Sequence, residues 1–208
     1  MSAKKQSSSK TQAPLQLNLI ESLPAGSKER AQVKARLTPR TVHGGLESKG
    51  KRKTARPFSP KAPIHIVLKS KRAKGTWSLL HRKNQSRISS MIYVYAVRFR
   101  VHVYRFANVG NHLHLLVKAN EPKDLADFFR VLAGRVAVTV TGAQKFKKRV
   151  GRFWDHLYWS RLVAWGKEFN FVQRYIYANE LEFLGEHIRK RVLNNPYLIP
   201  GLVPGDTS

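Results

Sequence analysis

The order of local structure signals predicts an α+β domain of the ferredoxin-like (RRM-like) class, an antiparallel sheet with helices on one face. Three observations carry that expectation. Strand-like apolar runs and stretches of helical spacing alternate in the order β-α-β-β-α-β-α. A turn signal, Asn108-Val109-Gly110-Asn111, joins two of the strands directly. Near residue 58 the composition also changes, from a Ser-, Lys-, Gln- and Thr-rich segment to one rich in Val, Ile, Leu and aromatics. The expected organisation is a disordered basic extension over 1–60, one domain over 61–190 and a C-terminal tail over 191–208.

Taking the elements in order, Leu15–Ile20 is the only apolar stretch of the early extension, fit for a short helix or docking strand. Pro63-Ile64-His65-Ile66-Val67-Leu68-Lys69 is short and β-branched, and so predicts the first strand. Leu80, Ile88, Met91, Ile92, Tyr95 and Phe99 recur at helical spacing, predicting a helix over Ser78–Arg98. Val101–Phe106 is the second strand, and His112–Val117 follows the turn as the third, completing a hairpin. Leu125, Phe128, Phe129, Leu132 and Val136 predict a helix over Pro122–Val140. A fourth strand falls within Leu157–Ala164, and a last helix runs over Lys167–Leu184 with an apolar stripe of Val172, Ile176 and Phe183.

Charge narrows the partner. Thirty-nine Lys and Arg against 12 Asp and Glu give +27 and a pI of about 11.0, more than solubility needs and characteristic of a protein that seeks a polyanion. The first 61 residues hold 14 basic and 3 acidic residues, so the remainder is itself strongly basic. Nucleic acid is the expected partner. No apolar run is long enough to span a bilayer and no signal-peptide core opens the chain, so no membrane role is expected and a cytoplasmic, nucleoid-associated location is. The chain has no Cys, which excludes disulfides and thiolate metal sites.

The chemistry concentrates in two places. On a strand, His112 and His114 project from one face while Leu113, Leu115 and Val117 project from the other, and two neutral imidazoles side by side can hold a metal ion. On the last helix, Tyr175 and Asn179 are four apart and share a face, whereas Tyr177 lies about 200° around the axis from Tyr175. If the hairpin turns at Val109-Gly110, Arg105 stands opposite His114, placed to bind a phosphate. Lys69, Lys71, Arg72 and Lys74 form a basic loop after the first strand. Lys145, Lys147, Lys148 and Arg149 surround Phe146 before the fourth, a pattern suited to holding phosphates beside a stacked base. His65 and His102 read as satisfied or surface histidines.

A His-Leu-His strand after a hairpin, followed about 60 residues later by a helical Tyr-x-x-x-Asn, resembles the single-tyrosine HUH transposases. The Asn form of the helical motif is similar to the REP-associated tyrosine transposases. The resemblance spans about 62–185 and implies the HUH endonuclease fold. It implies His112, His114 and the Asn179 side-chain oxygen as metal ligands, with Mg or Mn as the metal and Tyr175 as the nucleophile. It further implies single-stranded or hairpin DNA as the partner, a covalent 5′-phosphotyrosine intermediate, and a monomer or homodimer with the tyrosine in cis or trans. Those residue types suit the reaction: a phenol of pKa about 10 is a weak nucleophile at neutral pH, so the phosphoryl group must be activated instead. Glu180 stands where many relatives have Pro after the Asn, and the basic extension has no counterpart in the pattern. Two other readings remain: a domesticated transposase that binds DNA or RNA without catalysis, and a metal-dependent phosphodiesterase that uses water.

Overall fold

The computed structural model describes residues 26–28, 30–31, 42–45, 55–144 and 151–181. Five strands form one antiparallel sheet: β1 (Val42–His43), β2 (Ile64–Lys69), β3 (Val101–Asn108), β4 (His112–Ala119) and β5 (Trp159–Leu162), in the spatial order β1-β5-β2-β4-β3. The helices packed on it are α1 (Gln85–Arg98), α2 (Pro122–Thr141) and α3 (Lys167–Glu180). This is the α+β architecture that the order of sequence signals predicts.

Strand alternation separates two packings. Ile64, Ile66 and Leu68 of β2 and Leu113, Leu115 and Val117 of β4 point to one face, where they meet Ile88 and Ile92 of α1 and Leu125, Phe128, Phe129, Leu132 and Val136 of α2. Each such buried side chain contributes about 1.5–3 kcal/mol of transfer free energy. The opposite face carries Ala107 and Leu116, covered by Phe171, Val172, Tyr175 and Ile176 of α3. Helices thus lie on both faces, which corrects the expectation of one helical face. The physical reason is that α1 and α2 fill the first face, while the apolar stripe of α3 matches the strip left open over β3 and β4.

Several boundaries differ from the sequence reading. The first helix begins at Gln85 and not Ser78, because the Asn84 amide donates to the carbonyls of Thr76 and Ser78 (3.0 and 2.8 Å) and holds residues 78–84 as a loop after a 3-10 turn at Gly75–Trp77. The second helix has Pro122 in its first turn and ends at Gly142, whose φ of 65° is left-handed. The β3–β4 turn closes between Val109 N–H and His112 O (3.0 Å) around Gly110 (φ 84°). Its tip is therefore Gly110-Asn111, one residue beyond the expected position. Arg105 consequently pairs with Leu116, and Ala107 with His114; a bulge between Val103 and Arg105 adjusts the register. Arg105 keeps the predicted face but not the predicted partner.

Part of the segment expected to be disordered is structured. Val42 and His43 pair with Arg161 and Ser160, and the Arg56 guanidinium lies 3.8 Å over the Tyr158 ring. The stretches Leu15–Ile20, 145–149 and 182–208, including Glu182, Phe183 and Leu184, lie outside the described residues.

Candidate active site

Strand parity places His112 and His114 on the face that α3 covers, with ring centroids 4.7 Å apart. His112 is half-buried, and its Nδ1 lies 2.5 Å from Asn111 Oδ1. An amide oxygen only accepts, so this contact assigns the proton to Nδ1 and the lone pair of that imidazole to Nε2. His114 is buried, its Nδ1 3.2 Å from His65 Nε2. The two rings are nearly parallel, at 17° with centroids 5.5 Å apart.

His65 enters because β2 and β4 are neighbours: Val67 pairs with His114 and His65 with Leu116, so His65 and His114 sit diagonally on one face. Burial is the main cause, and the Arg161 cation the second, that holds the His65 pKa well below its usual value. His65 is therefore a neutral buried imidazole. Trp159 meets it edge-on at 5.4 Å.

From above, α3 delivers Tyr175. Its ring stands edge-on to His114 (5.6 Å between centroids) and to His65 (6.1 Å), and it is only 2% exposed. One turn later Asn179 is buried and its Nδ2 donates to the Tyr175 carbonyl (2.6 Å), which leaves Oδ1 as the amide atom that could serve as a ligand. The helix is fastened at its start: Glu168 forms an ion pair with Arg161 of β5, and its second oxygen accepts the Ala164 N–H at 2.8 Å. The ion pair is buried, with side chains 1% and 8% exposed.

His112, His114 and Tyr175 are thus brought together, with Asn179 one turn further along the same helix. Tyr177 turns away and lies under the Arg105 guanidinium, 5.2 Å from its ring centroid. Arg105 is therefore occupied beside the helix, and its charge opposes the upward shift that burial gives the Glu180 carboxyl. Lys69 ends β2 directly across from His112. Burial lowers its pKa, the Asp155 carboxylate opposes that shift and Lys71 adds to it. Lys71 and Lys74 are exposed, and Arg72 donates to the Arg152 carbonyl (3.3 Å) with its guanidinium near Trp77. The basic loop therefore flanks the His112 end of the sheet. Lys145, Lys147, Lys148 and Arg149 lie outside the described residues.

Among the described residues no group of three or more His, Cys, Asp or Glu is arranged to hold a metal. A donor set here would combine two imidazoles with the Asn179 amide oxygen, nitrogen and oxygen ligands that suit a divalent first-row ion. The sequence reading missed His65 as part of this site, as well as the Arg161–Glu168 clamp.

The model of the family described as IS200-like transposase matches residues 59–179, a span that contains the His strand and ends on Asn179. The chain belongs to the IS200-like transposase family. Among solved structures, a REP-associated tyrosine transposase bound to a REP hairpin is similar in fold to this IS200-like transposase. The TM-score is 0.50 at 13% identity, over 64% of this chain and 74% of that one. Both findings bear out the resemblance read from the two motifs. A search of curated proteins gave no significant match.

Proposed function

We propose that this IS200-like transposase cleaves and rejoins single-stranded, hairpin-forming DNA through a covalent link to Tyr175. The observation that carries the reading is the packing of Tyr175 against His114 within one chain. The DNA-bound state of the structurally similar REP-associated transposase supports the choice of substrate. Mg or Mn held by His112, His114 and Asn179 Oδ1 would polarise the scissile phosphoryl oxygens.

The remaining steps belong to the chain's own residues. Tyr175 Oη forms a bond to the 5′-phosphorus as the bond to the 3′-oxygen breaks, and the phenolic proton ends on the released 3′-hydroxyl. A second 3′-hydroxyl reverses the step and joins two strands with no external energy source. Lys69, Lys71, Arg72 and Lys74 neutralise phosphates on the approach, and Arg105 fixes the Tyr177 side of α3. The contact of Tyr175 with the His114 of its own chain supports a reaction in cis. Tyr175 is also buried, so the α3 seam opens to admit a phosphate.

Incubation with an end-labelled hairpin oligonucleotide and Mn, followed by denaturation in detergent, should leave a covalent adduct in the wild type and none in Tyr175→Phe. An adduct of equal yield in that variant would eliminate the nucleophile assignment. Cleavage with no adduct would favour attack by water, and binding with no cleavage would favour the non-catalytic reading.

A further inference from the structure

We propose that His65 is the positioning residue of the metal site: its Nε2 accepts the Nδ1 proton of His114 and so aims the His114 Nε2 lone pair at the ion. The inference rests on the reading of His112 and His114 as ligands and adds a residue that neither motif contains.

Three observations carry it. The Nε2 to Nδ1 separation is 3.2 Å and the rings are close to parallel, so one imidazole donates to the other. An imidazole that binds a metal through Nε2 must carry its proton on Nδ1, which makes His114 the donor and His65 the acceptor. Histidine ligands characteristically donate their second N–H to a partner that fixes the tautomer and the ring plane. Finally, His65 is 2% exposed and wedged between Trp159 and Tyr175, so its own orientation is fixed by packing.

The choice of an imidazole over the commoner carboxylate follows from the surroundings. Arg161 pairs with His65 across β2 and β5 and is already neutralised by Glu168. A carboxylate at position 65 would add an uncompensated buried charge beside that pair. A neutral imidazole supplies an acceptor and leaves the buried charge balanced. Since His65 also touches Tyr175, one side chain sets both a ligand and the nucleophile's neighbour.

The test uses the full chain and Mn alone, by calorimetry and by loss of the free-ion EPR signal. His65→Leu removes the acceptor and should weaken Mn binding about 10–100-fold; His65→Gln, whose amide oxygen accepts from Nδ1–H, should recover most of it. Wild-type affinity in His65→Leu, or equal losses in the Leu and Gln variants, would overturn the inference and leave the metal site standing. Absence of Mn binding in the wild type would instead overturn the metal reading itself, and this inference with it. Long-range proton–nitrogen NMR of the metal-free wild type gives an answer independent of how the variants fold. His114 should be the Nδ1–H tautomer, and an Nε2–H tautomer would refute the arrangement.

Discussion

The Arg161–Glu168 pair makes the sharpest prediction, because it is buried and bridges the sheet to α3. Glu168→Gln removes the countercharge from a guanidinium that is 1% exposed. Leaving one member of a buried pair without its partner costs about 3–5 kcal/mol, which for a domain of this size lowers Tm by roughly 10–20 °C. Replacing both members, Arg161→Met with Glu168→Leu, removes the charge imbalance and should recover most of that loss. The recovery stays incomplete by about 1–2 kcal/mol, because the Ala164 N–H that Glu168 accepts then has no acceptor. Urea unfolding of the wild type, Arg161→Met, Glu168→Leu and the double variant closes the cycle, with Glu168→Gln measured beside it. A loss below about 1 kcal/mol in Glu168→Gln would mean that the pair is screened as a surface pair is, and the buried clamp would be refuted.

Three further outcomes are expected. Gly110→Ala should cost about 1–2 kcal/mol by urea unfolding, since φ is 84°, a left-handed conformation that strains a side chain; a neutral result would mean that the turn at the head of the His strand adapts freely. Burial raises the Tyr158 pKa, which the nearby Arg56 cation opposes, so the folded state keeps this proton where the unfolded chain loses it. The associated stability is present below about pH 10 and is lost as pH rises through the folded pKa; Tyr158→Phe should flatten that alkaline decline in unfolding midpoint, and an unchanged decline would contradict it. Removing exposed Lys71 and Lys74 together should weaken single-stranded DNA binding and reduce the log–log salt slope by about 0.7 for each phosphate left unneutralised. An unchanged slope in a salt titration would take the loop out of the interface.

What was legible in the sequence was the local pattern. Alternation in His112–Val117 fixes which side chains share a face, and helical spacing joins Tyr175 to Asn179 with no tertiary information. The position of α3 was not legible, because a stripe of Val172 and Ile176 specifies that a helix is covered on one side but not which face of the sheet covers it. His65 escaped for a related reason. Its relation to His114 exists only through the β2–β4 register, with Val67 opposite His114, and a single strand carries no register. Arg105 shows the limit most directly: moving the turn tip by one residue changed its partner from His114 to Leu116 and preserved its face.

The two faces of the sheet differ in how much apolar side chain they bury. Among the described residues, 20 buried side chains share the core formed with α1 and α2, and seven share the seam beneath α3. The thinner seam is the easier one to open, so α3 amides should exchange with solvent through partial opening events while α2 amides await global unfolding. On the proposed function, such opening would release and recapture α3 while the core formed with α1 and α2 keeps its shape.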